Sequence, residues 1–217
     1  MVNGEWSVVN GEWSIVNGQW SMVNGQWLGN TSAKVIFTNT LLCRIMKKEF
    51  VVLVNRHGRR VGVAEKLEAH KKGLLHRAFS VFIFNDRGEM LLQKRAAGKY
   101  HFAGLWSNAC CSHPREGEKV LSAAKRRLME ELNLKALLES KGVITYKLFD
   151  TKSGLTEHEL DYIFTGRFTG KIDFRKNEVE DLRWISILQL KKEMKTYPEK
   201  FTPWFLTIMK EISNLLK

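Results

Sequence analysis

Two neighbouring cysteines and a histidine, Cys110, Cys111 and His113, lie in the stretch "NACCSHP". Thiols and imidazoles bind metals, attack electrophiles and transfer protons, while cysteines also serve as small buried residues. The third cysteine is Cys43, and an odd count with two adjacent thiols does not indicate a disulfide framework. Because the chain has no C-x-x-C pair, a thiolate-rich zinc site is disfavoured. The stretch indicates reduced thiols beside an imidazole and leaves the role of each cysteine open.

Two other segments carry groups that bind metals. His70 and His76 flank the basic segment "HKKGLLH", and Glu157 and Glu159 are two positions apart in "TEHEL". On a strand, residues two apart point to the same face, so both carboxylates can converge on one ion. Each feature alone is common on protein surfaces. Together with His113, they indicate a site for a divalent ion such as manganese, zinc or magnesium.

Basic residues lie close to these segments. Arg127 and Glu131 are four positions apart and share one side of a predicted helix, where they form either a surface ion pair or part of a site. Lys66, Arg95 and Lys99 lie beside the segments that carry the histidines and cysteines. An anionic ligand would suit this arrangement.

The elements that must position these groups follow from hydrophobic patterning. Apolar runs predict strands at 50–54, 78–84, 89–95, 142–150, 159–168 and within 178–187, with 78–84 and 89–95 joined as a hairpin across "NDRG". Helical spacing predicts helices at 118–134, 185–195 and 203–217. Strands and helices intermix, which predicts a mixed α/β (α+β) fold.

Composition narrows the class of protein. The chain has 217 residues, of which 44% are hydrophobic, and this is sufficient for a core. No apolar run approaches the length of a membrane span, so we expect no membrane segment. The three cysteines without a disulfide framework indicate reduced thiols, as expected of a cytoplasmic protein. The net charge of +12 permits nucleic-acid binding, but the basic residues are scattered, and an anionic small substrate explains the charge equally well.

The chain begins with a repeat of "VNGEW" or "VNGQW" units within residues 1–27. Asn-Gly favours tight turns and opposes a helix, so stacked hairpins with exposed Trp are one interpretation. Another is tandem non-coding DNA translated from an upstream start codon, since "MKKEFVVLVNRHGR" from Met46 is typical of a bacterial amino terminus. We expect residues 1–45 to be an extension, disordered or foreign to the functional domain, and 46–217 to be that domain; an adhesion module built on the Trp repeat is an alternative.

From Phe50 to the carboxyl end, the sequence resembles type I isopentenyl diphosphate isomerases of the Nudix superfamily. The resemblance rests on "EKLEAHKKGLLHRAFSVFIFN", "MLLQKRAAGKYHFAGLWSNACCSHP" and "TEHELDY", in that order. It implies a Nudix-type α/β/α sandwich with a mixed sheet. In the Nudix box G-x5-E-x7-R-E-U-x-E-E-x-G-U, this chain has Ser112, Arg127 and Asn133 at the first Gly, the second Glu and the last Gly. Arg127 in place of an acid favours the binding of phosphate over the binding of a catalytic metal. The alternative function is that of a Nudix hydrolase, which cleaves a diphosphate with the help of metal ions.

The resemblance also implies roles for individual residues. Catalysis falls to Cys111, which lies two before the ligand histidine, to Glu159 on the opposite side of the substrate, and to the Tyr146 hydroxyl. The residues implied to bind the prenyl diphosphate are Lys66, Arg95, Lys99, Ser112 and Arg127 around the diphosphate and Trp204 in the hydrocarbon pocket. The residues implied to bind metal are His70, His76, His113, Glu157 and Glu159 for one protein-bound Mn²⁺, Zn²⁺ or Mg²⁺, and Glu131 for a Mg²⁺ on the substrate diphosphate. No nucleic-acid partner is implied, and the chain is expected to be a monomer or a weak dimer.

Overall fold

The computed structural model describes residues 48–99 and 101–212, together with the backbone of four strands within residues 5–29. The chain divides into two compact units, Met1–Lys48 and Glu49–Lys217. In the first unit, strands β1 (Glu5–Val9), β2 (Glu12–Val16), β3 (Trp20–Val23) and β4 (Gln26–Gly29) pair antiparallel in chain order. The Asn-Gly steps, for which the repeat predicts turns, lie outside the described residues, as does Met46.

The second unit is built from strands and helices that intermix, as the sequence predicts. Its strands are β5 (Phe50–Val54), β6 (Arg60–Glu65), β7 (His76–Phe84), β8 (Met90–Arg95), β9 (Trp106–Asn108), β10 (Cys110–Ser112), β11 (Leu138–Asp150), β12 (Leu155–Arg167) and β13 (Val179–Ile185). Its helices are α1 (Lys66–Lys72), α2 (Val120–Leu132), α3 (Ile187–Thr196), a 3₁₀ turn (Pro198–Lys200) and α4 (Pro203–Ile212). The predicted helix over 203–217 extends past the described residues.

The sheet is mostly antiparallel, with one parallel pair. Strands run in the order β11-β12-β7-β5-β6, and β7 also pairs with β10 and β8. The parallel pair is β12 with β7, where Glu159 lies beside His76. The predicted hairpin between β7 and β8 is wrong beyond its first step, because only Phe84 and Met90 pair. Further along, β10 occupies the edge of β7, and β8 pairs with β9 and β13 instead.

Helices cover both faces of this sheet, which confirms the predicted α/β/α layers. On β7, Phe79, Val81 and Ile83 pack in the cluster that contains the apolar residues of α2, while Phe82 packs with those of α3 and α4. This separation follows from the two-residue period of a strand, which sends alternate side chains to opposite faces.

Two short features complete the frame of the site. Helix α1 is capped at both ends: the Glu65 side chain accepts from the amides of the first turn, and Gly73 ends the helix in the left-handed conformation. Helix α2 ends the same way at Asn133, with φ of 48°. Asn tolerates this conformation better than most residues, so it can stand where the Nudix box has Gly. Among the described residues, none of the helices is long and apolar enough to cross a membrane.

Candidate active site

The predicted site residues meet at one cavity of about 80 Å³ in the second unit. All of them except His76 line this cavity, and His76 is fully buried in the adjoining cluster of imidazoles. The lining residues that we did not predict are Gln93, His101 and Glu178. Side chains as far apart in the sequence as Lys66 and Trp204 therefore form a single site.

Four of the predicted metal ligands come together tightly. The ligand atoms of His70, His76, His113 and Glu159 all lie within 4.8 Å of one another. His70 is on α1, His76 begins β7, His113 follows β10, and Glu159 is on β12. Convergence of three imidazoles and a carboxylate from four elements is compatible with the binding of a divalent metal ion.

Backbone carbonyls fix how two of these imidazoles face the cluster. His70 Nδ1 lies 2.6 Å from the Lys66 carbonyl and donates to it. His76 Nδ1 lies 2.7 Å from the Leu74 carbonyl and donates to it, which leaves Nε2 with a lone pair in the neutral ring. That Nε2 is 3.2 Å from His113 Nε2. Burial lowers the pKa of His113 to about 4, so this ring is neutral at physiological pH. Ring nitrogens aimed at one point, with the other nitrogen of His70 and His76 held by a carbonyl, fit a bound cation.

Glu157 was predicted as a further ligand, and its position is less direct. Its Oε2 is 3.0 Å from His70 Nε2, and its Oε1 is 2.6 Å from His101 Nε2. It is not one of the four groups that lie within 4.8 Å of one another in the described part of the chain. The structure thus places Glu157 between His70 and the unpredicted His101.

Glu159 has one oxygen in the imidazole cluster and one on the side of Tyr146. Its Oε1 is 2.8 Å from His113 Nε2, and the Tyr146 hydroxyl donates to its Oε2. Tyr146 stands directly opposite Glu159 in the register of β11 and β12. Burial raises the pKa of Glu159, but hydrogen bonds to His113 and His76 outweigh it and hold the pKa well below its usual range. Burial and Glu159 raise the pKa of Tyr146.

The two cysteines lie on opposite faces of β10. Cys110 is completely buried in the cluster under α2, whereas Cys111 packs on the α4 side and lines the cavity. Asn108 uses its amide nitrogen to donate to the carbonyls of Val81 and Cys110, so its Oδ1 can accept from the Cys111 thiol at 2.8 Å. Burial raises the pKa of Cys111 well above its usual range, with Asp161 adding to the effect. The thiol form is therefore favoured.

Behind Cys111 lies a pair of polar residues that the sequence analysis missed. The Ser80 hydroxyl is 3.2 Å from Cys111 Sγ and donates to Asp161 Oδ2 at 2.7 Å. Asp161 is fully buried and its other oxygen has no hydrogen-bond partner among the described residues, while burial and Glu159 raise its pKa. Asp161 lies two past Glu159 on β12, so the rule of alternation that paired Glu157 with Glu159 could have found it.

The predicted diphosphate-binding cations line the cavity and contact carboxylates. Lys66 Nζ is 2.8 Å from Glu49, and Lys99 pairs with Glu178. Glu178 also lies 3.4 Å from the Arg127 guanidinium, so one carboxylate joins two cations from different elements.

Arg127 and Arg95 reach the cavity from α2 and β8. Arg127 contacts Glu131, its predicted neighbour on the helix. Burial lowers the pKa of Arg127, but the Glu131 carboxylate outweighs burial, and the pKa of Arg127 is raised. The Arg95 guanidinium lies 5.1 Å from the centre of the Trp204 ring. Trp204 is buried and donates from Nε1 to Ser107 Oγ at 3.1 Å. An apolar wall thus adjoins a group of cations.

Known proteins resemble this chain in both sequence and fold. The NUDIX domain family model matches residues 74–205. An isopentenyl-diphosphate Delta-isomerase of Serratia proteamaculans is 48% identical over 164 residues, covering 76% of this chain and 91% of that protein. An isopentenyl-diphosphate Delta-isomerase 2 of Photorhabdus laumondii is 43% identical over 165 residues, covering 76% and 93%.

Solved structures share the fold at low sequence identity. DR0079 from Deinococcus radiodurans superimposes with a TM-score of 0.62 at 17% identity, covering 75% of this chain and 98% of that one. A MutT protein from Methanosarcina mazei gives 0.53 at 17% identity, covering 64% and 94%. These comparisons confirm the predicted Nudix-type fold, and the chain belongs to the isopentenyl-diphosphate Delta-isomerase family, built on a NUDIX domain.

Proposed function

We propose that this protein isomerises isopentenyl diphosphate to dimethylallyl diphosphate, with Cys111 and Glu159 as its acid–base pair. The observation that carries the proposal is that one cavity is lined by both groups, by Trp204 and by the cations Lys66, Arg95, Lys99 and Arg127. The relatives named isopentenyl-diphosphate Delta-isomerase support the same reaction.

The chemistry explains why such a cavity needs both polar and apolar walls. An unactivated alkene is a weak base, and its protonation at the terminal carbon creates a tertiary carbocation. Removal of a proton from the carbon on the other side of the cationic carbon then places the double bond in its new position. A positioned acid, a positioned base and the exclusion of water are required. The face of the Trp204 ring can stabilise the cation by about 2 kcal/mol when it is desolvated.

The diphosphate end positions the reacting end. Lys66, Arg95, Lys99 and Arg127 supply charge, Ser112 supplies a hydroxyl, and Glu131 would hold a Mg²⁺ carried by the diphosphate. Binding energy from this non-reacting group orients the five-carbon chain between Cys111 and Glu159. Because the diphosphate is held and not cleaved, no attacking water is needed there.

His70, His76, His113 and Glu159 would hold one divalent ion, with Glu157 beside them. The three imidazoles favour Zn²⁺ over Mg²⁺, because imidazole suits Zn²⁺ and Mg²⁺ prefers oxygen ligands, while Mn²⁺ would draw on the carboxylates. When bound, the ion would orient the Glu159 carboxylate and tune its proton affinity. Tyr146 donates to the oxygen of Glu159 on its own side, which fixes the rotation of the carboxylate.

The test is to incubate the purified protein with isopentenyl diphosphate and to measure dimethylallyl diphosphate and released phosphate together. We expect the isomer and no phosphate. Phosphate release without the isomer would instead support the Nudix hydrolase alternative. We further propose a cytoplasmic location, a monomeric or weakly dimeric state, and a functional domain at 46–217, with residues 1–45 dispensable.

A further inference from the structure

A fourth histidine adjoins the imidazole cluster. The His101 side chain is 8% exposed, and its Nε2 lies 2.6 Å from Glu157 Oε1. The other oxygen of Glu157 lies 3.0 Å from His70 Nε2. Each carboxylate oxygen of Glu157 therefore faces a different imidazole, which fixes the rotation of the carboxylate about its last bond.

The loop between β8 and β9 is built to hold His101 in this place. Gly104 donates its amide to the Arg95 carbonyl at 2.9 Å, and the Arg95 guanidinium donates to the His101 carbonyl at 3.3 Å. Phe102 has a φ of 50°, a left-handed conformation that is unfavourable for a residue other than Gly. The Phe102 ring packs edge-on against His101 at 5.3 Å and Trp204 at 5.2 Å. A strained backbone that persists under such contacts is typical of functional loops.

His101 contacts the centre through Glu157. Of the described residues, the groups with ligand atoms within 4.8 Å of one another are His70, His76, His113 and Glu159, and His101 is outside this set. Its polar contact with the set runs through Glu157, whose Oε2 faces His70, and its ring centre lies 6.0 Å from that of His70. Hydrogen-bond partners of metal ligands fix ligand orientation, and their loss typically weakens metal binding about 10- to 100-fold.

We propose that His101 is a positioning residue of the metal centre, which holds Oε1 of Glu157 so that Oε2 is presented on the His70 side. This inference rests on the proposed metal centre. The inference requires a hydrogen-bond donor at the place of His101 Nε2. It does not require the charge of the ring to change.

The experiment measures affinity for Zn²⁺ and Mn²⁺ in the full chain, by competition with a chromophoric chelator, with no substrate present. His101→Phe keeps a ring and removes the donor, and we expect about 10- to 100-fold weaker binding. His101→Gln carries an amide that can donate from nearly the same place, and we expect affinity within a few-fold of wild type. His57→Phe is the matched control, since His57 is exposed and lies outside the cavity; it should bind as wild type.

His113→Ala separates failure of this inference from failure of the centre. If His113→Ala loses the metal while folded His101→Phe binds as wild type, the role of His101 is overturned and the centre stands. If His113→Ala binds as wild type, the proposed centre itself is wrong. Equal weakening in folded His101→Gln and His101→Phe would also overturn the donor role. Should His101→Phe fail to fold, His101→Asn replaces it, because its shorter amide cannot reach Glu157: weak binding supports the inference and wild-type affinity refutes it.

Discussion

The two cysteines offer a sharp contrast, because adjacent residues with the same side chain face different surroundings. Cys111 lines the cavity and contacts Ser80 and Asn108, while Cys110 is completely buried among the residues under α2. We predict that Cys111→Ala abolishes isomerisation and that Cys110→Ala leaves most of it. Both substitutions remove one sulfur, so each serves as the control for the other.

Cys111→Ala should mainly lower kcat, whereas Cys110→Ala should mainly lower the free energy of unfolding. A positioned acid or base contributes about 10²- to 10⁴-fold to a rate, so Cys111→Ala should lower kcat by at least ~100-fold, or about 3 kcal/mol in activation free energy. Cys110→Ala opens a small cavity in the core, and removal of a group about the size of a methylene should cost roughly 1–2 kcal/mol of unfolding free energy. The change in kcat for that variant should be only a few-fold.

The assay is steady-state product formation for both variants, with urea denaturation of each to separate stability from catalysis. A low kcat in a folded Cys111→Ala protein, beside a near-normal kcat in a less stable Cys110→Ala protein, is the expected pattern. Equal loss of kcat in the two variants would refute the reasoning from strand alternation. So would normal kcat in Cys111→Ala.

Four further predictions concern the metal, the cations, pH and the amino-terminal repeat. Dialysis against a chelator should abolish isomerisation and added Zn²⁺ or Mn²⁺ should restore it, whereas activity in verified metal-free protein would contradict the imidazole site. Arg127→Met leaves buried Glu131 without its cation, so it should lower the unfolding free energy in urea by about 3–5 kcal/mol and raise KM; an unchanged urea midpoint would exclude this. Hydrogen bonds from Arg126 lower the pKa of Glu118 below its unfolded value of 4.5, so Glu118 stabilises the fold above that pH and this contribution is lost as the pH falls through the folded pKa. The Tm of Glu118→Gln should lie below that of wild type at neutral pH and converge with it in acid, and a difference that is constant with pH would count against the linkage. A protein that starts at Met46 should keep full kcat and KM, and a large loss would show that residues 1–45 take part in function.

Much of the fold was predictable because it depends on local patterning. Apolar runs located most strands of the second unit, and the helical spacing in 118–134 located α2 to within two residues at each end. The predicted hairpin between β7 and β8 holds only at Phe84 and Met90, because strand partners are chosen by long-range packing: β10 pairs with β7 further along. The short β6 and α1 have too few residues for a clear period.

Part of the site could also be predicted from the sequence, and part could not. Motifs that resemble a known family predicted that Cys111 and Glu159 belong to one site, and both line the cavity; this resemblance selected Cys111 over Cys110. His101 and Glu178 were missed because each stands alone in the sequence and gains its meaning only from a partner more than fifty positions away. No local spacing encodes such a contact.

The central claim is that this cavity moves a proton onto one carbon and off another while the diphosphate stays intact. Proton NMR of isopentenyl diphosphate incubated with the protein in deuterated water tests it most directly. The prediction is conversion to dimethylallyl diphosphate with deuterium in a methyl group and no release of phosphate. With Cys111→Ala, we expect neither conversion nor deuterium incorporation. Isomer without deuterium from the solvent, or hydrolysis in place of isomerisation, would contradict it.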